Sequence, residues 1–437
     1  MMVRLSQPRN KIHPAWWVLM ASFLLLITAT GIRSANGVLL LPLEAEFGWS
    51  RAAISSSISI SLILYGLAGP FSASLVARFG IRRIMIIALV MVVLGVLGAT
   101  QISQIWHLTL LWGVLIGLGT GMAGLSVSAI IVDRWFLRHR GLVQGILTAS
   151  FATGALVFLP LLEHLALSFG WRWAIAFMAG FGMLVIPVVA IFIRNFPRDR
   201  GVEPYGFDHP EGRAFLSANP RKTGATVADA NVFLLPLQVL RQSAKNLNFW
   251  LLFLTFFICG LSTNGLIGTH LIAACEDVGI SSRNGAWLLA TMGLFDLVGT
   301  VGSGYLTDRF DSRKLLFAYY GFRGLSLMAL PFILTENASV IWLSVFAVFY
   351  GLDWVATVPP TVKLATGILG RERVGMVFGW ISAGHQLGAG VAAAGAGLIH
   401  TQYKSYFFAF LISGLACFIA ALASISVNRR KTGQGLA

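Results

Sequence analysis

Long apolar runs alternate with short polar connections along almost the whole chain. A helix needs about 20 mainly apolar residues to cross the hydrocarbon core of a bilayer. Runs of that kind occur at 16–41, 52–76, 84–103, 107–132, 141–162, 172–193, 249–272, 285–306, 315–334, 341–363, 374–398 and 405–426. The pattern predicts an all-α membrane protein with twelve transmembrane helices in two six-helix halves. We expect the first bundle at 1–193, a cytoplasmic linker at 194–245 and the second bundle at 246–437.

The composition supports this prediction. Of the 437 residues, 57% are hydrophobic and only 11% are charged, whereas soluble proteins have about 25% charged residues. The chain therefore lacks the polar side chains that a water-facing surface or a disordered segment requires. Cys259, Cys275 and Cys417 lie within apolar runs and lack the spacing of a metal site, so they are interpreted as buried apolar side chains. We expect no metal and no cofactor.

The net charge of +15 would suit a nucleic-acid partner if the basic residues formed one patch. Instead, most of the 32 Lys and Arg residues fall in segments that face the cytoplasm when the N-terminus is placed inside. This is the distribution that the positive-inside rule describes. The charge therefore predicts a multi-pass protein of the inner membrane with both termini in the cytoplasm, and no nucleic-acid partner.

The polar stretch 194–245 is rich in proline and glycine and is typical of a linker. Apolar residues cluster near its end, at 233–240, and favour a short surface helix there. About 50 residues are too few for a convincing regulatory domain.

A weak internal repeat relates the two halves. Residues 77–83, between the second and third spans, match residues 308–314, between the eighth and ninth. Related halves around a central site are typical of secondary transporters.

Residues 304–309 (GYLTDR), followed by Arg313 and Lys314, resemble a short loop that the major facilitator superfamily has in each half. The first-half copy differs, with Ala77 in place of the usual acid. Residues 47–50 (FGWS) and the Trp135–Phe136 pair are similar to the monocarboxylate-porter branch of that superfamily. The resemblance implies that Asp308 pairs with Arg309 or with a neighbouring helix terminus and so forms a gating latch at the cytoplasmic side. The alternative is that the bases of this loop only anchor it to the inner surface.

Five ionisable residues lie within the spans, where each charge costs roughly 2.5–3.5 kcal/mol unless it is paired or hydrated. At 1.5 Å per residue, four of them lie about 15 Å from the cytoplasmic ends of their helices, in one layer near the midplane. Arg33 lies about 25 Å from that side, closer to the outer mouth. The four that share a layer are Asp296, Arg323, Asp353 and His385.

The resemblance implies that the tenth span lines the central cavity, with the eighth and eleventh beside it and the ninth outside. Asp353 is then the best candidate for a proton carrier or substrate contact, next to Trp354. Two prolines, Pro359 and Pro360, should break this helix and free backbone carbonyl groups. The alternative is that Asp353 is a hydrogen-bonded structural acid.

His385 could relay a proton to or from Asp353, or only pack between helices. Asp296 resembles the acid of an Asp–Arg pair in the monocarboxylate branch, although Thr300 takes the place of the arginine. It is a second candidate for proton coupling. Asp296 and Arg323, at matched depth, could instead form a simple ion pair.

Arg33 and Asn36 are candidates for substrate binding. A guanidinium group can hold a carboxylate with two hydrogen bonds, and the amide could add a polar contact. The alternative is that Arg33 extends towards the outer membrane interface.

The sequence favours a monomeric secondary transporter and not an enzyme. Residues 117–121 (GLGTG) and the glycines of 384–397 are interpreted as helix-packing positions, and no nucleotide-binding lysine motif occurs. We expect proton-coupled movement of a small organic solute, with a carboxylate favoured. Uptake of a neutral aromatic or vitamin-like solute such as riboflavin is an alternative, with Trp16, Trp17, Trp354 and Trp380 as stacking surfaces. Drug efflux is another, and a membrane receptor or sensor is the alternative from a different class.

Overall fold

A computed structural model describes residues 12–210, 234–336, 338–369 and 374–428. Within these ranges the regular structure is helical and no β-strand is formed. The basic residues predicted to mark the cytoplasmic termini, Arg4, Arg9, Lys11, Arg429, Arg430 and Lys431, lie outside the described residues, as do Arg371 and Arg373.

Seven helices form the first half, because the fourth span is divided at Ala123 and Gly124. The helices are α1 Pro14–Phe47, α2 Arg51–Phe79, α3 Ile81–Ala99, α4 Ile105–Met122, α5 Leu125–Trp135, α6 Arg140–Phe169 and α7 Trp171–Phe192. Several of these helices begin or end at residues that are well suited to capping a helix. Ser50 accepts a hydrogen bond from the amide of Ala53 at the start of α2, and Gly48 ends α1 in the left-handed conformation that glycine adopts without strain.

The second half follows the same plan, with the tenth span divided in two. Its helices are α8 Leu234–Ser243, α9 Leu247–Glu276, α10 Ser282–Arg309, α11 Ser312–Ile333, α12 Val340–Asp353, α13 Val358–Leu369, α14 Val374–Tyr403 and α15 Phe407–Ile425. α8 precedes the six spans and is the surface helix predicted in the linker.

Each predicted span corresponds to one helix or to a divided pair of helices. In the part of the chain that the structure describes, 11 helical stretches are long and apolar enough to cross a membrane. The glycine-rich α14 supplies the remaining span. The predicted all-α fold with twelve spans in two six-helix halves is confirmed.

Glycines let the helices pack closely. A Cβ atom added to Gly117 or Gly121 would lie 2.8 Å from the carbonyl oxygen of Ser61 or 2.6 Å from that of Tyr65, both on α2. A Cβ at Gly388, on α14, would overlap the main chain of α9 at Phe257. The interpretation of both glycine series as packing positions is therefore confirmed, except at Gly395, which has nothing within 4 Å of its Cβ position.

α14 packs along α2, and α10 packs along α6, so the two halves meet along both pairs. α8 is attached to the same region, because Trp380 of α14 donates its indole N–H to the carbonyl of Pro236 at 2.9 Å. Residues 211–233 of the predicted linker lie outside the described residues, and the boundaries 194 and 245 stay a prediction.

Candidate functional site

The tenth span is broken in the middle. α12 ends at Asp353 and α13 begins at Val358, leaving residues 354–357 as an unwound turn. Pro359 and Pro360 occupy the first turn of α13. Because proline has no N–H, the carbonyl groups of Val355 and Ala356 lose their normal helical partners. The break predicted from the two prolines is confirmed.

Arg323 holds one side of this turn. Its side chain, on α11, is fully buried, and Nε donates to Oδ2 of Asp353 at 2.6 Å. Nη2 donates to the carbonyl oxygens of Asp353 at 2.5 Å and Trp354 at 3.2 Å. One guanidinium group thus pairs with a carboxylate and satisfies two carbonyls that the break has freed.

Two side chains of α10 hold the other side. Oδ1 of Asp296 accepts hydrogen bonds from the amide of Val355 and from Oγ1 of Thr300, both at 3.0 Å. Oγ of Ser303 donates to the carbonyl oxygen of Ala356 at 2.5 Å. The carbonyl that Pro360 leaves without a partner is therefore bonded by Ser303.

Three of the four residues predicted to share a layer lie together, but the alternative that Asp296 and Arg323 form an ion pair is wrong. Asp296, Arg323 and Asp353 do lie together, and we call these three residues the buried charge cluster. Arg323 pairs with Asp353 and not with Asp296, because the rotation of each helix about its axis, which depth does not fix, decides which side chains meet. Asp353 is 7% exposed, and its Oδ1 has no hydrogen-bond partner among the described residues.

His385 is connected to Asp353 only through other side chains. It lies beside Cys259 of α9 and packs on the ring of Phe256 at 5.1 Å. Cys259 in turn accepts a hydrogen bond from Nη1 of Arg323 at 3.0 Å. A direct relay between His385 and Asp353 is thus not formed within the described residues.

The three cysteines are buried, as predicted. The role of Cys259 as a polar partner of Arg323 was missed, since nothing in the sequence around it differs from the other two.

Arg33 points into the first half. Its guanidinium carbon lies 4.0 Å from the centre of the Tyr65 ring, and the buried Nε has no partner in the described part of the chain. It lines a small pocket with residues one and two turns nearer the start of α1, Leu26 and Thr30. The alternative that Arg33 extends towards the outer interface is therefore wrong.

Asn36 does not join Arg33. Its Oδ1 accepts a hydrogen bond from Nε1 of Trp112 at 2.7 Å, and both residues line a second small pocket. The structure thus gives Asn36 a hydrogen bond within the first half, and its contact with a substrate stays a prediction.

Trp354 lies near the surface where the halves meet. A Cβ atom added to Gly268 of α9 would lie 3.9 Å from the Trp354 ring, and one added to Gly37 of α1 would lie 3.1 Å from the carbonyl oxygen of Gly268. Gly37, one turn from Arg33 on α1, therefore lies against the same glycine of α9 that faces Trp354.

A pair between Asp308 and Arg309 is not formed within the described residues, and the gating role of Asp308 stays a prediction. Both side chains are exposed, and Arg309 stacks on Tyr305 of the preceding turn, 4.1 Å from the ring centre. Consecutive side chains on a helix do not face each other, whereas residues four apart do. The acid engaged in this loop is Asp311, which caps α11 and pairs with Arg313 at 2.9 Å.

A charged cluster at the opposite end of the bundle was missed. Arg51, at the start of α2, bonds to both carboxylate oxygens of Asp277 at 2.8 and 2.9 Å. It also pairs with Glu44 at 2.8 Å and donates to the hydroxyl of Tyr406 at 3.2 Å. His400 lies 3.0 Å from Asp277. We call these five residues the Arg51 cluster.

The Arg51 cluster joins the two halves. Arg51 and Glu44 belong to the first half, and Asp277, His400 and Tyr406 belong to the second. Burial alone would raise the pKa of Asp277, but hydrogen bonds from His400 and Arg51 outweigh this effect and hold the pKa below its ordinary value. The only sequence signal was the presence of opposite charges at span ends on one side of the membrane.

Known proteins support the fold and the family. A sequence profile described as the Major Facilitator Superfamily matches residues 21–352 and 252–435. The chain is 26% identical over 403 residues to an uncharacterized MFS-type transporter, YcxA, of Bacillus subtilis (strain 168), covering 92% of this chain and 91% of that protein. It is 23% identical over 402 residues to monocarboxylate transporter 13 of Rattus norvegicus, covering 91% and 85% of the two chains.

Two solved structures share the fold at 15% identity. One is a peptide transporter POT mutant in complex with sulfate, with a TM-score of 0.72 over 97% of this chain and 96% of that one. The other is a D-xylose–proton symporter, with a TM-score of 0.72 over 96% and 99%. Together with the twelve spans in two halves, the profile match shows that this chain belongs to the major facilitator superfamily and is a multi-pass membrane transporter.

Proposed function

We propose that the protein moves a small organic solute carrying a carboxylate across the inner membrane by alternating access, driven by a proton gradient. The termini face the cytoplasm, as the placement of basic residues favours. The solute is bound near Arg33 and Trp354, and the proton is bound by the buried charge cluster.

The observation that carries this proposal is the charge balance of the buried charge cluster. Two carboxyl groups, Asp296 and Asp353, are accompanied by one guanidinium group, that of Arg323, and all three residues are at least nine-tenths buried. With both acids ionised, the cluster has an unpaired negative charge at membrane depth, which is costly. Uptake of one proton removes that charge. Either acid can take it, because Oδ1 of Asp353 has no hydrogen-bond partner and Asp296 has no ion pair among the described residues.

Among the described residues, Arg33 carries an unpaired positive charge, the opposite of the unpaired negative charge in the buried charge cluster. No carboxylate of the described chain pairs with it, and its Nε is buried without a partner. A substrate carboxylate would complete the pair with hydrogen bonds to two nitrogens. The similarity to monocarboxylate transporters 13 and 4 of Rattus norvegicus supports this substrate class, and the shared fold of a sugar–proton symporter supports the coupling ion.

Coupling between substrate transport and proton binding follows from these two unpaired charges. Substrate alone neutralises Arg33, and a proton alone neutralises the buried charge cluster, so each removes only one of the two uncompensated charges. When both are bound, the two halves can rock past each other with no unpaired charge in the membrane.

The alternative of an aromatic solute loses most of its stacking surface in the structure. Trp16 packs edge-on against Phe136, and Trp17 stacks on Phe192. Trp380 is bonded to Pro236. Trp354 and Trp380 both lie near the contact between the halves, but the Trp380 ring already packs edge-on against Phe71 of α2 at 5.9 Å.

Uptake by purified protein in liposomes tests the proposal. We expect a monocarboxylate to accumulate when the interior is made alkaline, whereas its amide analogue does not. Asp353→Asn should abolish accumulation, and Arg33→Gln should raise the half-saturating concentration at least tenfold. Arg172→Gln is the matched control, because Arg172 forms an exposed pair with Glu46 within the first half.

Accumulation of the acid that is equal with and without the pH gradient would contradict proton coupling. Equal uptake of acid and amide would contradict recognition of a carboxylate by Arg33. Failure of every solute tested to move would favour the receptor alternative.

A further inference from the structure

The four-residue turn within the tenth span is held almost entirely by side chains of other helices. In a continuous helix the amide of Val355 would bond to Gly351, but here the amide of Trp354 bonds to Gly351 at 3.1 Å. The Val355 amide is directed instead to Asp296. The carbonyl groups of Asp353, Trp354 and Ala356 are bonded by Arg323 and Ser303.

The chemistry of the two sides differs. Arg323 and Ser303 donate to carbonyl groups, and neither donor depends on the binding of a proton in the physiological range. Asp296 is an acceptor, and the strength of its hydrogen bonds does depend on whether it carries a proton. Hydrogen bonds to an ionised carboxylate are roughly twice as strong as those to a neutral group. Protonation of Asp296 therefore weakens the Val355 bond and leaves the carbonyl side intact.

We propose that Asp296 acts as a positioning residue that transmits proton binding to the tenth span through the Val355 amide, so that α13 changes its angle to α12 when the carboxylate is neutralised. Arg323 and Ser303 keep the turn attached to α11 and α10 while this happens. This inference rests on the proton coupling proposed above, and it assigns the conformational response to one main-chain hydrogen bond.

The groups that face Asp296 allow this response. They are Thr300 on its own helix, Arg323 on α11, Asp353 on α12 and Cys259 on α9, with His385 of α14 behind Cys259. Helix α6, which also packs on α10, carries its acid, Glu163, at the far end beside Ser282. Arg323 is already committed to Asp353, so Asp296 is the acid of the cluster without an ion pair of its own.

A distance measurement between α12 and α13 tests the proposal without substrate. Spin labels at Val345→Cys and Gly367→Cys would stand about 33 Å apart along the span. Both sites are exposed, and nothing lies within 4 Å of a Cβ atom at Gly367. The native cysteines are buried, so the labels are directed to the introduced sites. We expect the wild-type distance to shift by a few ångströms between pH 9 and pH 5.

Three variants separate the proposed role from a merely structural one. Asp296→Asn keeps an oxygen acceptor for Val355 but cannot ionise, so it should fold and lose the pH-dependent shift. Asp296→Leu removes the acceptor and should show the acid distance at every pH. Thr291→Ala is the control on α10, because Thr291 is half-buried and its hydroxyl donates to the carbonyl oxygen of Trp287 on its own helix; it should behave as wild type.

A wild-type pH shift that persists in Asp296→Asn would overturn the inference, as would a wild-type distance that does not respond to pH. If the distance responds as expected but uptake needs no pH gradient, the proposed function fails and the inference stands. If uptake is proton-driven and Asp296→Asn keeps the shift, the inference fails and the proposed function stands.

Discussion

Arg323 is the residue on which the buried charge cluster depends. Its side chain is 0% exposed and bonds to a carboxylate, a thiol and two carbonyl oxygens. A buried ion pair adds little net stability, because removing both charges from water costs about as much as their attraction returns. Removing one partner is different, since the other charge is then buried and unpaired. The pair is therefore best tested by comparing single and double variants.

We expect Arg323→Met to lower the free energy of unfolding by about 3–5 kcal/mol, because it leaves Asp353 uncompensated. The double variant Arg323→Met/Asp353→Leu should recover part of that loss, since two apolar side chains of similar size replace the pair. Thermal unfolding of protein in detergent measures both. Arg172→Met, at an exposed pair, should change stability by at most about 1 kcal/mol. A double variant as unstable as Arg323→Met would contradict the pairing.

The sequence predicted which buried charges share a depth but not which of them form a pair. The helical rise of 1.5 Å per residue gives depth directly, so Asp296, Arg323 and Asp353 were placed in one layer. Partner choice depends on helix order, tilt and rotation, which come from packing. For the same reason the sequence did not predict the partner of Asn36. Its side chain accepts a hydrogen bond from Trp112, although Asn36 lies only one turn from Arg33.

At the scale of elements, the tenth span shows what local chemistry can predict. Pro359 and Pro360 predict a break because two N–H groups are absent from the chain itself. The groups that bond the broken turn come from α10 and α11, tens of residues away, and no local pattern identifies them. The glycines are similar: their spacing predicts close packing, whereas the identity of the neighbouring helix appears only in the fold.

Two glycines of α14 offer a matched test of this packing. A Cβ atom at Gly388 would overlap the main chain at Phe257, so Gly388→Ala must push α9 and α14 apart. We expect a loss of about 1–3 kcal/mol, the usual cost of overpacking. Gly395 has nothing within 4 Å of its Cβ position, so Gly395→Ala should be neutral or slightly stabilising. Equal unfolding temperatures for the two variants would contradict the close contact between α9 and α14.

At the scale of the whole molecule, the two halves are joined at the end that holds the Arg51 cluster. Glu163 of α6 adds a second connection there, beside Ser282 at the start of α10. The sequence predicted two halves but not which end is closed. An alternating-access protein has closed states that differ by only a few kcal/mol, and the closing residues lie at helix ends far apart in the chain.

The pKa of Asp277 decides how this closure responds to acid. Burial would raise that pKa, but the bonds from His400 and Arg51 hold it below its ordinary value of 3.8. A carboxylate whose pKa is lower in the closed state than in the open state favours closure at every pH above its ordinary pKa. This contribution to closure is lost only when the pH falls through the lowered pKa. Acidification from pH 8 to pH 5 therefore leaves Asp277 ionised.

Spin labels at Gln101→Cys in the first half and Gln402→Cys in the second, both exposed near this end, measure the closure. The wild-type protein should keep its short distance from pH 8 to pH 5. Asp277→Asn removes the charge that holds Arg51, and we expect the population of the longer distance to rise about tenfold, the effect of about 1.4 kcal/mol. Arg172→Gln, which breaks a pair inside the first half, should leave the distribution unchanged.

Opening of the wild-type protein on acidification would mean that this end, and not only the buried charge cluster, senses protons. A closed Asp277→Asn variant would show that packing between α2 and α14 holds the halves together without the Arg51 cluster.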